Sequence, residues 1–149
     1  MGCNEVPLVA FLSSSLQLLW RGGKELEHSP KKVFVVDDEK QIADLLSTFL
    51  GGAQFDVETF YDAHSALLRA SDCPPDIIVS DVVMPDMDGI TLAKAVRVEC
   101  PDCKVILISG NPSWTRGVSR SDGLGDGFTL LSKPFPLKQL LRLIKSELS

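Results

Sequence analysis

Val33-Phe34-Val35-Val36 runs straight into Asp37-Asp38-Glu39. Four consecutive apolar residues, mostly β-branched, fit a strand covered on both faces, as in a parallel sheet. The abrupt change to carboxylates marks its carboxyl end. Outward from this run the period of the apolar pattern keeps switching. Ile42, Leu45, Leu46, Phe49 and Leu50 recur at helical spacing, and Gly51-Gly52 supplies a stop. Phe55, Val57 and Thr59 alternate with polar neighbours, which predicts a half-exposed strand near a sheet edge. Asp62 is placed to cap a helix with Ala63, Ala66, Leu67 and Ala70 on its apolar face, ended by Pro74-Pro75. Ile77-Ile78-Val79 is a second buried run and stops at Ser80-Asp81. Ile90, Ala93 and Val96 carry a helix, Val105-Ile106-Leu107-Ile108 the next buried strand, and Phe128 to Ser132 a fifth. Leu137, Leu140, Leu141, Ile144 and Leu148 stripe a last helix. Strands alternating with helices predict an α/β fold: a doubly wound parallel sheet with helices on both faces. In such sheets ligands sit in the crevice beyond the carboxyl ends of the central strands.

Composition narrows the classes. The chain has 149 residues, 44% apolar and 23% charged, as expected of one soluble core. Its net charge of −5 argues against a nucleic-acid binder driven by phosphate contacts. No apolar run reaches the ~20 residues of a membrane span. Cys3, Cys73, Cys100 and Cys103 are too sparse for a disulfide framework, so a cytoplasmic location is expected. Residues 1–30 read as a tail and linker, with the domain proper over 31–149. Val6 to Trp20 carries no charge, but Glu5 precedes it where a secretory signal needs Lys or Arg. Met1-Gly2-Cys3 lacks the Ser or Thr at position 6 that myristoylation usually wants. A tail packing on the domain or on a partner suffices.

Four polar signals fall at the expected strand ends: Asp37-Asp38-Glu39, Asp81, Ser109 and Lys133. Each alone has an ordinary explanation as a cap, a turn or a surface residue. Jointly they converge in one crevice if the sheet forms. Carboxylates that close repel one another unless their pKa values rise or a cation joins them. A shallow all-carboxylate cluster suits a hard divalent ion such as Mg²⁺ or Mn²⁺. With an ammonium and a hydroxyl beside it, the cluster becomes a receptor for a phosphoryl group, and a carboxylate is a competent nucleophile toward one.

Val35-Val36-Asp37-Asp38-Glu39, Ser80-Asp81-Val82-Val83-Met84-Pro85-Asp86-Met87-Asp88-Gly89, Leu107-Ile108-Ser109-Gly110 and Ser132-Lys133-Pro134-Phe135 together resemble the receiver domain of bacterial two-component response regulators. The resemblance to this CheY-like superfamily covers Lys31 to Ser149 and is of the stand-alone, single-domain type. It implies a flavodoxin-like sheet of order 2-1-3-4-5. It implies that Asp81 accepts a phosphoryl group from a histidine kinase or histidine phosphotransferase in a His-Asp phosphorelay. Mg²⁺ would be held by Asp38, Asp81 and the backbone carbonyl of Val83, with Asp37 acting mainly through water. Lys133 would pair with the phosphoryl group and Ser109 would hydrogen-bond it. The Lys133–Pro134 peptide would be cis, and Gly89 would permit a tight turn. Such a protein is a signalling switch, not an enzyme beyond its own phosphorylation and dephosphorylation. With no output domain in the chain, its expected output is a surface read by a downstream protein.

Two departures from the family pattern stand out. Leu130 occupies the position, three before the lysine, that usually holds an aromatic or His. Phe128 shares its face by strand alternation, one step further out; it either substitutes for the missing aromatic or, the expected role, serves packing. Between Ser109 and Lys133, Asn111 and Pro112 open a helix, but Gly117, Gly123, Gly125 and Gly127 limit it. A short or irregular fourth helix over about 112–121 is expected there. Cys100-Pro101-Asp102-Cys103 has no second pair to complete the roughly four ligands of a zinc site and precedes a strand, so it reads as coincidence. The alternative function is a haloacid-dehalogenase-type Mg²⁺-dependent phosphohydrolase, which wants Asp-x-Asp-Gly where this chain has Asp37-Asp38-Glu39-Lys40.

Overall fold

The computed structural model describes residues 29–111 and 128–149. The tail, up to residue 28, and the short or irregular helix expected over 112–121 lie outside the described residues. Five strands form one parallel sheet: β1 (Lys32–Val36), β2 (Asp56–Phe60), β3 (Ile77–Asp81), β4 (Lys104–Ser109) and β5 (Phe128–Ser132), in the order β2-β1-β3-β4-β5. Among the described residues, α1 (Lys40–Gly52), α2 (Ala63–Asp72), α3 (Gly89–Glu99) and α4 (Leu137–Leu148) are the helices. The flavodoxin-like order expected from the sequence is the observed one.

Strand alternation sorts the core into two layers. Val33 and Val35 of β1, Ile77 and Val79 of β3, and Ile106 and Ile108 of β4 face one side, where Ala43, Leu46 and Leu50 of α1 and Leu140 and Ile144 of α4 cover them. Phe34, Val36 and Ile78 face the other side, against Ala63, Ala66 and Ala70 of α2 and Leu92 and Val96 of α3. On that same side Leu130 and Phe128 are half-buried against Val105, Leu107 and Ala93. β2 is an edge strand and nowhere fully buried, as its alternating sequence predicts.

Two glycine expectations need correction. Gly51 and Gly52 do not stop α1; both lie inside it, and Gln54 takes the left-handed conformation at φ 72°. The amides of Ala53 and Phe55 satisfy the Leu50 carbonyl and that of Gln54 satisfies Gly51, so the reversal comes two residues later than the glycine pair. In the loop after β3 the left-handed residue is Asp86, at φ 67°, while Gly89 is the first residue of α3. What Gly89 permits is close approach. A Cβ there would lie 2.2 Å from the carbonyl oxygen of Asp81.

Candidate functional site

The polar side chains singled out from the sequence sit at or just past the carboxyl ends of strands, where three further inter-strand hydrogen bonds fasten the chain. The Asp37 amide donates to Phe60 O at the end of β2 (3.1 Å). The Val82 amide, following Asp81, donates to Ile108 O of β4 (2.9 Å). The Lys133 amide donates to Ser109 O (2.9 Å), tying β5 to β4 where the chain turns through the cis Lys133–Pro134 peptide. The sheet order reverses between β1 and β3, so Asp37 and Asp81 flank the topological switch point.

The geometry brings the carboxylates together. One oxygen from each of Asp37, Asp38 and Asp81 lies within 4.8 Å of the others, with Asp37 and Asp81 buried and Asp38 exposed. Lys133 Nζ stands 3.6 Å from Asp81 Oδ1. Burial pushes the Asp37 carboxyl up to about 6, aided by the Asp81 and Asp38 charges and opposed by the Glu39 amide and Lys133. The Glu39 amide donates to Asp37 Oδ1 at 2.9 Å. Asp81 is also raised by burial, with the Lys133 ammonium pulling the other way. An all-oxygen, anionic donor set, open on the Asp38 side and crowded enough to hinder ionisation, fits a hard divalent cation. Val83, whose carbonyl the family resemblance assigns to the metal, follows Asp81 by two residues and is exposed.

Ser109 ends β4 one residue beyond Ile108, the partner of Asp81 in the strand register. Its buried hydroxyl accepts from the Asn111 amide (3.0 Å) and leans toward the Asn111 carbonyl (3.4 Å). The aliphatic part of Lys133 passes Gly110, whose Cβ position lies 3.9 Å from Lys133 Cδ. On β5, the Arg97 guanidinium of α3 stacks 5.2 Å above the half-buried Phe128 ring.

Sequence reading missed Ser80. Its buried hydroxyl donates to the carbonyl of Asp81 at 2.9 Å and is 3.1 Å from the Cβ position of Gly89. Ser80 and Gly89 therefore clamp the peptide that carries Asp81. The signal was present as a hydroxyl directly after the buried run Ile77-Ile78-Val79, since a buried polar group needs a partner.

The sequence pattern of the family described as "Response regulator receiver domain" matches residues 33–145. The chain belongs to that family. As a receiver domain of two-component response regulators it has relatives of several output types. The regulatory protein VanRc of Enterococcus gallinarum is 35% identical over 118 residues, 79% of this chain and 50% of that protein. The DNA-binding transcriptional regulator NtrC of Salmonella typhimurium is 31% identical over 117 residues, 78% of this chain and 24% of that one. The receiver domain thus spans about half or less of these relatives' length. Among solved structures, the chemotaxis response regulator CheY4 of Vibrio cholerae superposes with a TM-score of 0.71 at 30% identity, covering 80% of this chain and 99% of that one. A CheY-like receiver domain from Methanospirillum hungatei gives the same TM-score at 27% identity, over 80% and 94% of the two chains. No helix among the described residues of this receiver domain is long and apolar enough to cross a membrane.

Proposed function

We propose that the unit spanning Lys31 to Ser149 is the phosphoacceptor of a His-Asp phosphorelay, with Asp81 as the residue phosphorylated. The observation that carries the reading is the meeting of Asp37, Asp38 and Asp81 oxygens within 4.8 Å, with Lys133 Nζ 3.6 Å from Asp81. A carboxylate oxygen of Asp81 attacks the phosphorus of a phosphohistidine, the P–N bond breaks, and an acyl phosphate forms on Asp81. Lys133 exchanges its pairing with the Asp81 carboxylate for the phosphoryl oxygens. Ser109 releases its turn contact with Asn111 and donates its hydroxyl proton to a phosphoryl oxygen. Asp37, Asp38, Asp81 and the Val83 carbonyl would hold Mg²⁺ or Mn²⁺, Asp37 mainly through water, and the ion when bound neutralises charge on the phosphoryl group.

In this reading the donor is a histidine kinase or histidine phosphotransferase, and the output is a surface recognised by a downstream protein. The acidic chain is expected not to bind nucleic acid itself, and to work in the cytoplasm. Turnover is limited to the domain's own phosphorylation and dephosphorylation. Mass spectrometry after incubation with acetyl phosphate and Mg²⁺ tests this. Wild type is expected to gain a single phosphate, stoichiometrically, and Asp81→Asn none. Equal labelling of the two proteins, or multiple turnover on a phosphomonoester, would overturn it in favour of another site or a phosphohydrolase.

A further inference from the structure

Cys100-Pro101-Asp102-Cys103, at the far end of β4 from Ser109, has no part in the phosphoacceptor chemistry. Both cysteines are free thiols, Cys100 half-buried and Cys103 buried. The Cys103 amide donates to the Cys100 carbonyl at 3.1 Å, closing a turn with proline at its second position. Such a turn keeps its outer Cα atoms within ~7 Å. A disulfide needs about 4.4–6.8 Å. The Cys103 thiol itself donates to the Lys104 carbonyl at 3.4 Å, a contact it gives up when it turns to Cys100. On one flank the Cys100 amide caps α3 through Val96 O (2.6 Å). On the other, Cys103 packs among Phe34, Ile78, Leu92 and Val96, so the pair is held between a helix end and a strand start. Coincidence in a loop explains the spacing but not the closed turn that brings the two residues together.

We propose that Cys100 and Cys103 form a dithiol site that undergoes thiol–disulfide exchange with a small-molecule disulfide of the glutathione type. Cys100, the more accessible thiol, loses its proton and attacks one sulfur of the disulfide. The S–S bond breaks, one thiolate leaves and takes up a proton, and a mixed disulfide remains on Cys100. Cys103 then loses its proton and attacks the Cys100 sulfur, expelling the second thiolate, which is protonated in turn. Two protein thiols and one disulfide give one protein disulfide and two small thiols. Burial, reinforced by Cys100, pushes the Cys103 thiol up to about 12. That assigns the first attack to Cys100 and makes Cys103 the resolving partner.

The full chain, folded, is incubated with oxidised glutathione, alkylated with iodoacetamide and cut with trypsin. Cleavage after Arg97 and Lys104 isolates both thiols in the peptide Val98–Lys104. The expected product is that peptide lighter by two hydrogens, unalkylated, and restored by dithiothreitol. Closure in the folded chain is expected to be at least ~10-fold faster than in guanidinium-unfolded chain, because the turn holds the two residues near each other. Cys103→Ala should stop at a glutathionyl adduct on Cys100. Cys100→Ser, in the half-exposed turn, should leave position 103 unmodified. Alkylation of both cysteines after exposure, a lasting adduct on wild-type Cys100 without closure, or equal rates in folded and unfolded chain would each overturn the proposal.

Discussion

Asp37 is held in a place that resists its ionisation. Its folded-state value of about 6 lies above the ordinary 3.8. Between these values the folded chain keeps a proton that the unfolded chain has released, so stability is greatest below the window and falls as pH rises through it. Asp81 is shifted in the same direction. Metal-free Asp37→Asn is therefore expected to melt above wild type at neutral pH, with the gap closing toward about pH 4. Thermal melts in EDTA across that range measure it; a gap that stays constant or widens on acidification would contradict the assignment. Ser109 makes a narrower prediction. Its hydroxyl already has the Asn111 amide as a partner, and its proposed role in phosphoryl transfer is to donate one hydrogen bond. Ser109→Ala should slow acetyl phosphate labelling roughly 10–100-fold while leaving Mg²⁺ affinity unchanged, as read by titration calorimetry. A loss of metal affinity with no change in labelling rate would reverse that assignment.

Among the elements, α3 is placed by contact with the backbone of Asp81 and Val82. Asp88 caps it by accepting from the Thr91 amide (2.7 Å), and the Gly89 amide donates to Val82 O (2.8 Å). The helix start and the end of β3 are thus one unit, with no room for a side chain at 89. Gly89→Ala forces either α3 or the Asp81 peptide to move, at a cost of about 1–3 kcal/mol as in other overpacked sites. Urea unfolding should show that loss together with weaker Mg²⁺ binding, since Asp81 moves with its carbonyl. Wild-type stability and affinity in this variant would mean that the close approach is not needed. β5 differs in kind. Leu130, half-buried against Val105 and Leu107, has neither hydroxyl nor ring, so its part in any surface change is confined to packing.

For the whole molecule, the doubly wound order does one thing that no element does alone: it collects the ends of β1, β3, β4 and β5 at a single rim. Repulsion concentrated there makes the folded state a better cation receptor than the unfolded chain. Mg²⁺ at about 100 times its dissociation constant should add ~2.7 kcal/mol of stability at neutral pH, seen as a raised urea midpoint with unchanged slope. Asp38→Asn should lose most of that increment; if it responds as wild type does, the ion binds elsewhere. Strand positions, the sheet's layering and the four polar signals were legible in the chain because burial on both faces imposes runs such as Val33–Val36, and because polar residues at their ends break those runs. The sheet order and the cis peptide followed from family likeness, since periodicity carries no information about which strands are neighbours. Other features were not legible. The Ser80 hydroxyl on the Asp81 carbonyl and the reason for Gly89 depend on distances between segments brought together only by packing. Local pattern, set by backbone period and side-chain burial, determined what each segment is. Tertiary structure decided how near the carboxylates, the ammonium and the backbone of Asp81 come, because those separations are fixed by the register of strands and the seating of α3, which no local period encodes.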